Sequence, residues 1–177
     1  MTTPDERSRQ SGHEVSPRKK TALKLLNELS FDALKFRCPL IRPELLPKQS
    51  FKDSTANQLT QSVLHFIRLN GHQAERISTT GRPIDNTRVV SDCLGFRRTI
   101  GSVQYIPGTG TRGSSDISAT IKNRAGIGLS VKIEIKINDR QSEHQKAYQQ
   151  SIEAAGGIYL IVRNFQQFYD WYKSEFK

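Results

Sequence analysis

Asp116, Glu134 and Lys136 are the residues whose types and spacing best suit a chemical step. Glu134 and Lys136 lie in Leu129–Ile137, where Val131, Ile133, Ile135 and Ile137 alternate with Lys132, Glu134, Lys136 and Asn138. A strand has a side-chain period of two, so the acid and the ammonium share one face while the aliphatic residues fill the other. Asp116 opens the preceding β-rich run, Asp116–Lys122, and the turn Asn123-Arg124-Ala125-Gly126 joins the two runs as a hairpin. Two carboxylates on adjoining strands suit Mg2+ (or Mn2+), and a lysine beside them can orient water and offset developing charge. Those are the requirements of phosphodiester hydrolysis. The plain alternative is a solvated Glu-Lys pair, because Glu-x-Lys recurs by chance.

The rest of the chain must position these groups. Thr55-x-x-Gln58 has the spacing of a capping box, with Asp53-Ser54 ahead of it, and Ala56, Leu59, Val63, Phe66 and Ile67 form the stripe of a helix that Gly71 closes. His72–Ser78 reads as a strand. Ile84–Pro107 reads as a strand pair or an irregular excursion, with Thr87–Val90 and Thr99–Ile106 as its β-rich parts. A Gly-rich loop, Gly108–Gly113, delivers the chain to Asp116. Beyond the hairpin, Asp139 is placed to cap a helix with Ala147, Tyr148, Ile152 and Ala155 inward, ended by Gly156-Gly157. Ile158–Val162 fits a buried strand, and Asn164 caps a last helix with Phe165, Phe168, Tyr169, Trp171 and Tyr172 on one side. At the front, residues 1–20 read as a disordered basic tail and Thr21–Phe36 as an amphipathic helix with a second cap at Ser30. Pro39, Pro43 and Pro47 punctuate the linker that follows. The expected class is α/β, an α+β mixed sheet flanked by helices. Residues 21–50 form a helical extension and residues 51–177 the main domain.

Composition narrows the partners. With Lys+Arg 27 against Asp+Glu 17 the chain carries net charge +10, a balance that favours a polyanion such as DNA. Hydrophobic content of 35% leaves part of the chain solvated. Cys38 and Cys93 lack metal-ligand spacing, so a reducing, cytoplasmic setting fits and a disulfide framework does not. The first residues carry no hydrophobic signal region, so export is not expected, and no apolar run approaches the length of a membrane span.

Gly113-Ser-Ser-Asp116, Lys132-Ile-Glu134-Ile-Lys136 and Arg140-Gln-Ser142-Glu-His-Gln145 together resemble the PD-(D/E)XK nuclease superfamily, and more closely its VRR-NUC-like phage and prophage endonucleases. The resemblance spans about Thr55 to Trp171. It implies a restriction-endonuclease-like αβββαβ core and metal-dependent endonuclease activity on DNA. It also implies Asp116, Glu134 and the Ile135 carbonyl as metal ligands, Lys136 positioning the attacking water, and Gln145 facing the site from a helix. Related nucleases are often homodimers, which would suit cutting two strands. Two positions depart from the pattern. Many relatives carry an acid on the first core helix, where this chain offers only Asn57, Gln58 and Gln61, and Ser115 replaces the proline before the aspartate.

Arg76, Arg82, Arg97, Arg98, Arg112, Lys132 and Arg140 are the candidate phosphate contacts, Arg112 foremost because it lies in the loop just ahead of Asp116. Nothing resembles a recognition helix, so structure-selective cleavage is expected rather than sequence-specific cleavage. The alternative is an inactive nucleic-acid-binding module on a nuclease scaffold. Gly108-x-Gly110-x-x-Gly113 matches a dinucleotide fingerprint in letters only, since it leads into a strand and not a helix. Gly157-Ile158-Tyr159 fits a core strand, the four histidines lack metal spacing, and His65 reads as a helix surface residue.

Overall fold

Alternating aliphatic and polar residues make Ile117–Lys122 (β6) and Gly128–Ile135 (β7) an antiparallel pair in a computed structural model of the chain. The structure describes residues 17–79, 81–108 and 110–176, with side chains from Ala22 onward. The hairpin turn is closed by Asn123, whose side-chain oxygen accepts from the Ala125 and Ile127 amides at 3.0 and 2.9 Å. Gly126 takes φ 80°, a left-handed conformation that glycine adopts without a Cβ penalty. Gln73–Arg76 (β1) adds antiparallel to β6, and Ile158–Val162 (β8) adds parallel to β7. The result is a mixed sheet in the order β1-β6-β7-β8.

Helices cover both faces. Ala56–Leu69 (α2) starts at Thr55, whose side chain accepts from the Gln58 amide at 3.3 Å. The capping box is only half made, because Gln58 Oε1 is buried without a hydrogen-bond partner. Phe165–Phe176 (α4) is capped by Asn164 Oδ1, which accepts from the Gln167 amide at 2.9 Å. Buried Asp53 also accepts from the Phe165 amide, at 3.1 Å, so it serves this helix. These helices bury Leu59, Val63, Phe66, Phe165, Phe168 and Tyr172 against Ile117, Ile121, Val131 and Ile133. The aromatic stripe of α4 is thus core.

Several expectations change. The front helix, Pro17–Arg37 (α1), begins four residues early and runs unbroken. Its Ala22 and Leu26 join the main core. Ser30 is buried and caps nothing; its hydroxyl meets Gln49 at 2.8 Å and His65 at 2.9 Å. Of the disordered tail expected over residues 1–20, residues 17–20 are instead the first turn of α1, and residues 1–16 lie outside the described residues. A 3-10 turn, Pro43–Leu45, follows in the linker. Glu143–Ala154 (α3) is capped not by Asp139 but by Ser142, in a complete capping box with Gln145. Ser142 fits where Asp139 does not because only it stands three residues ahead of a Gln that can reach back. Ala147 and Ala155 are exposed, since α3 lies on the polar face of the sheet and buries no residue fully.

His65, expected on the helix surface, is half-buried. Its ring stacks on Phe51 at 4.6 Å between centroids and bonds Ser30. Burial, then Arg37 and Arg68, lower its pKa below 6.5. The folded state therefore resists the proton that the unfolded chain accepts, so stability is lost as pH falls through about 6.5. Melting temperatures at about pH 7.5 and about pH 5.5 check this. The drop on acidification is expected to be larger in the native chain than in His65→Gln.

The excursion between β1 and β6 is one long hairpin arm. Arg82–Asp85 (β2) pairs with Val103–Ile106 (β5), and Arg88–Ser91 (β3) pairs with Arg97–Ile100 (β4) in the same continued register. Its tip repeats the Asn123 turn, with Asp92 Oδ1 accepting from the Leu94 and Phe96 amides at 3.0 and 2.9 Å. Among the described residues no helix is long and apolar enough to cross a membrane, and both cysteines are free.

Candidate functional site

The β6/β7 register pairs Ile117 with Ile133 and Ser118 with Lys132. Carried one residue further, it sets Asp116 opposite Glu134 on the face away from the core. Asp116 Oδ2 accepts from the Ile135 amide at 2.9 Å, which fixes the carboxylate at the end of β7. The peptide joining Ile135 to Lys136 donates its N–H to Val162 O on β8, at 2.9 Å. In a trans peptide the carbonyl points the opposite way, so the Ile135 oxygen lies on the Asp116 side of the strand.

Glu134 is almost wholly buried and is held from three sides. Lys136 Nζ stands 3.2 Å from Glu134 Oε1. Gln145 Nε2 donates to that same oxygen, and the Tyr159 hydroxyl donates to Oε2 at 3.4 Å. Burial, and next the Asp116 charge, push the Glu134 pKa up, while Lys136 and Tyr159 pull it down. Burial and the Glu134 charge in turn raise the pKa of Tyr159. Two acids close enough to repel favour positive charge beside them, and Lys136 supplies it at Glu134.

Helix α3 presents Gln145 in a fixed pose. The Gln145 backbone N–H donates to Ser142 Oγ at 3.3 Å, while Gln145 Oε1 accepts from the Ser142 N–H at 2.9 Å, leaving Nε2 for Glu134. The loop ahead of Asp116 is locked to the same turn. Gly113 has φ 83°, and a Cβ there would lie 2.5 Å from the His144 carbonyl oxygen. Gly113 is therefore a close-approach glycine that ties Asp116 to the helix carrying Gln145.

Asp116, Glu134, Lys136 and Gln145 are thus brought together. The expected phosphate contacts are more scattered. Lys132 shares the Glu134 face but its ammonium is held by Ser118 Oγ at 2.6 Å. Arg76, at the β1 end beside Ile117, donates to Asn57 Oδ1 at 2.7 Å. Arg112 and Arg140 are exposed, in the loops entering β6 and α3. Helix α2 carries no acid, its Asn57 is occupied by Arg76 and its Gln61 is exposed. Sequence reasoning missed Tyr159, which reads as one more core residue of an apolar strand. The signal was its hydroxyl, and the parallel register that sets it beside Lys132 on the polar face.

The oxygen donors here are two carboxylates and a main-chain carbonyl, the ligand class that hard divalent cations take. Among the described residues no three His, Cys, Asp or Glu side chains gather at one point. Waters would have to complete any cation's shell. No family model, curated protein or solved structure matches the chain.

Proposed function

We propose that the chain is a metal-dependent endonuclease that hydrolyses DNA phosphodiester bonds, selecting by structure rather than by sequence. The observation that carries this reading is the convergence of Asp116 and Glu134 on one face, with the Lys136 ammonium 3.2 Å from Glu134. Mg2+ or Mn2+ would be held by Asp116, Glu134 and the Ile135 carbonyl, and would neutralise phosphate charge and make a nucleophile accessible near neutral pH. Lys136 would orient the attacking water and offset charge on the phosphate as the P–O ester bond breaks. Gln145 holds the Glu134 carboxylate in one rotamer, and Tyr159 closes its other oxygen from solvent. The net charge of +10 supports phosphate-backbone binding, and exposed Arg112 and Arg140 lie in the loops entering β6 and α3.

A second reading is an inactive DNA-binding module, favoured by the absence of any acid on α2. Labelled linear and branched DNA incubated with Mg2+ or Mn2+ separates the two. The nuclease reading expects cleavage that EDTA stops. Binding without cleavage of any substrate under either metal would leave only the module.

A further inference from the structure

We propose that the arm spanning residues 82–106 is a DNA-gripping ribbon that lies in the major groove of B-form duplex and presses Leu94 and Phe96 against the bases. This rests on the nucleic-acid reading above and names the form of substrate that the site receives. Topology supplies the first support. Strand β1 ends at Arg76, paired with Ile117, and the next amide, Ile77, donates to Asp116 O at 2.8 Å. The arm therefore leaves the sheet at the same end as the candidate carboxylates. A duplex docked there is within reach of it.

Charge supplies the second. The arm holds four arginines (Arg82, Arg88, Arg97 and Arg98) against two aspartates, a net of +2. All four are exposed. Both aspartates are tied to their own turns, Asp85 by Thr87 and Asp92 by the Leu94 and Phe96 amides. A second copy of this arm would bring guanidinium against guanidinium, whereas a phosphate backbone pairs with them and releases its counterions.

Shape supplies the third. A two-stranded ribbon fits the B-DNA major groove, about 12 Å wide, but not the deep, narrow major groove of A-form RNA. From Arg82 to Leu94 the arm extends at most about 40 Å at the strand rise of about 3.4 Å per residue, slightly more than one turn of duplex. At its tip Leu94 and Phe96 are 79% and 70% exposed, although nothing in a hairpin turn requires apolar residues. Apolar side chains at the end of a basic ribbon are suited to contact with the thymine methyl groups that the major groove presents.

The test measures binding of a labelled B-form DNA duplex in EDTA as salt is varied, using the full chain and two variants. In Arg88→Ala/Arg97→Ala/Arg98→Ala the slope of log K against log salt is expected to fall by about 2–3, near 0.9 for each phosphate no longer neutralised. Leu94→Ser/Phe96→Ser is expected to weaken binding and to leave the salt slope unchanged, since these side chains meet base methyls and no phosphate. An RNA duplex of the same sequence is expected to bind more weakly and to ignore both variants. Unchanged slope and affinity in both variants would overturn the proposal, as would a change confined to self-association in sedimentation. Unchanged melting temperatures verify the fold of each variant. Cleavage of short DNA by these same variants reports on the carboxylate site separately, so loss of the arm's role leaves that reading standing.

Discussion

Glu134→Gln is expected to lower DNA cleavage on the order of a thousandfold, about 4 kcal/mol of transition-state stabilisation, while DNA binding persists. The substituted amide has the carboxylate's shape. Its oxygen can still accept from Lys136 and Gln145, the partners of Glu134 Oε1. What disappears is the negative charge that a cation would need. Burial and Asp116 already disfavour that charge, so neutralising it is not expected to lower the melting temperature near neutral pH. Loss of cleavage without loss of stability distinguishes a chemical role from a structural one. Asp116→Asn and Lys136→Ala are expected to abolish cleavage as well. The asparagine oxygen can still accept the Ile135 N–H bond that Asp116 receives. Full activity in all three variants, measured as initial rates on one labelled substrate, would end the nuclease reading.

Phe66→Ala is expected to cost about 3–5 kcal/mol of stability, a large share of the roughly 5–15 kcal/mol that holds a typical domain folded. Phe66 is buried on α2 and meets four rings edge-on. Phe165 and Phe168 stand at 5.8 Å, Tyr169 at 5.7 Å and Tyr172 at 5.0 Å between centroids. Truncation removes both the buried area and the edge-to-face geometry, and a cage built from one rigid helix cannot collapse to fill the space. The melting temperature should fall by roughly 10–15 °C. A fall of under about 3 °C would mean that α4 repacks freely against the sheet.

The sequence made some parts of this molecule easy to read. Period-two alternation located β6 and β7 and placed Glu134 and Lys136 on the polar face, because one face of that hairpin meets an aliphatic core and the other carries polar side chains. Thr55, Asn164 and the glycines at 71 and 156 marked helix ends because capping is local chemistry. The arm was hard to read for the opposite reason. Its strands are exposed on both faces, so no burial pattern is written into residues 82–106. Long-range partners were equally hidden. His65 reads as a polar helix residue until α1 sets Ser30 against it, and Tyr159 reads as core until β8 aligns it beside β7. Asp139 and Ser142 are both good caps in isolation. Only the reciprocal reach of Gln145 chose between them, and that choice also aimed the Gln145 side chain at Glu134.

Calorimetric titration of Mn2+ into the purified chain, beside Glu134→Gln and Asp116→Asn, bears most directly on whether the two carboxylates serve one cation. A saturable site in the native chain that either substitution removes is the expected result. No heat in the native chain, or equal binding in all three proteins, would contradict it.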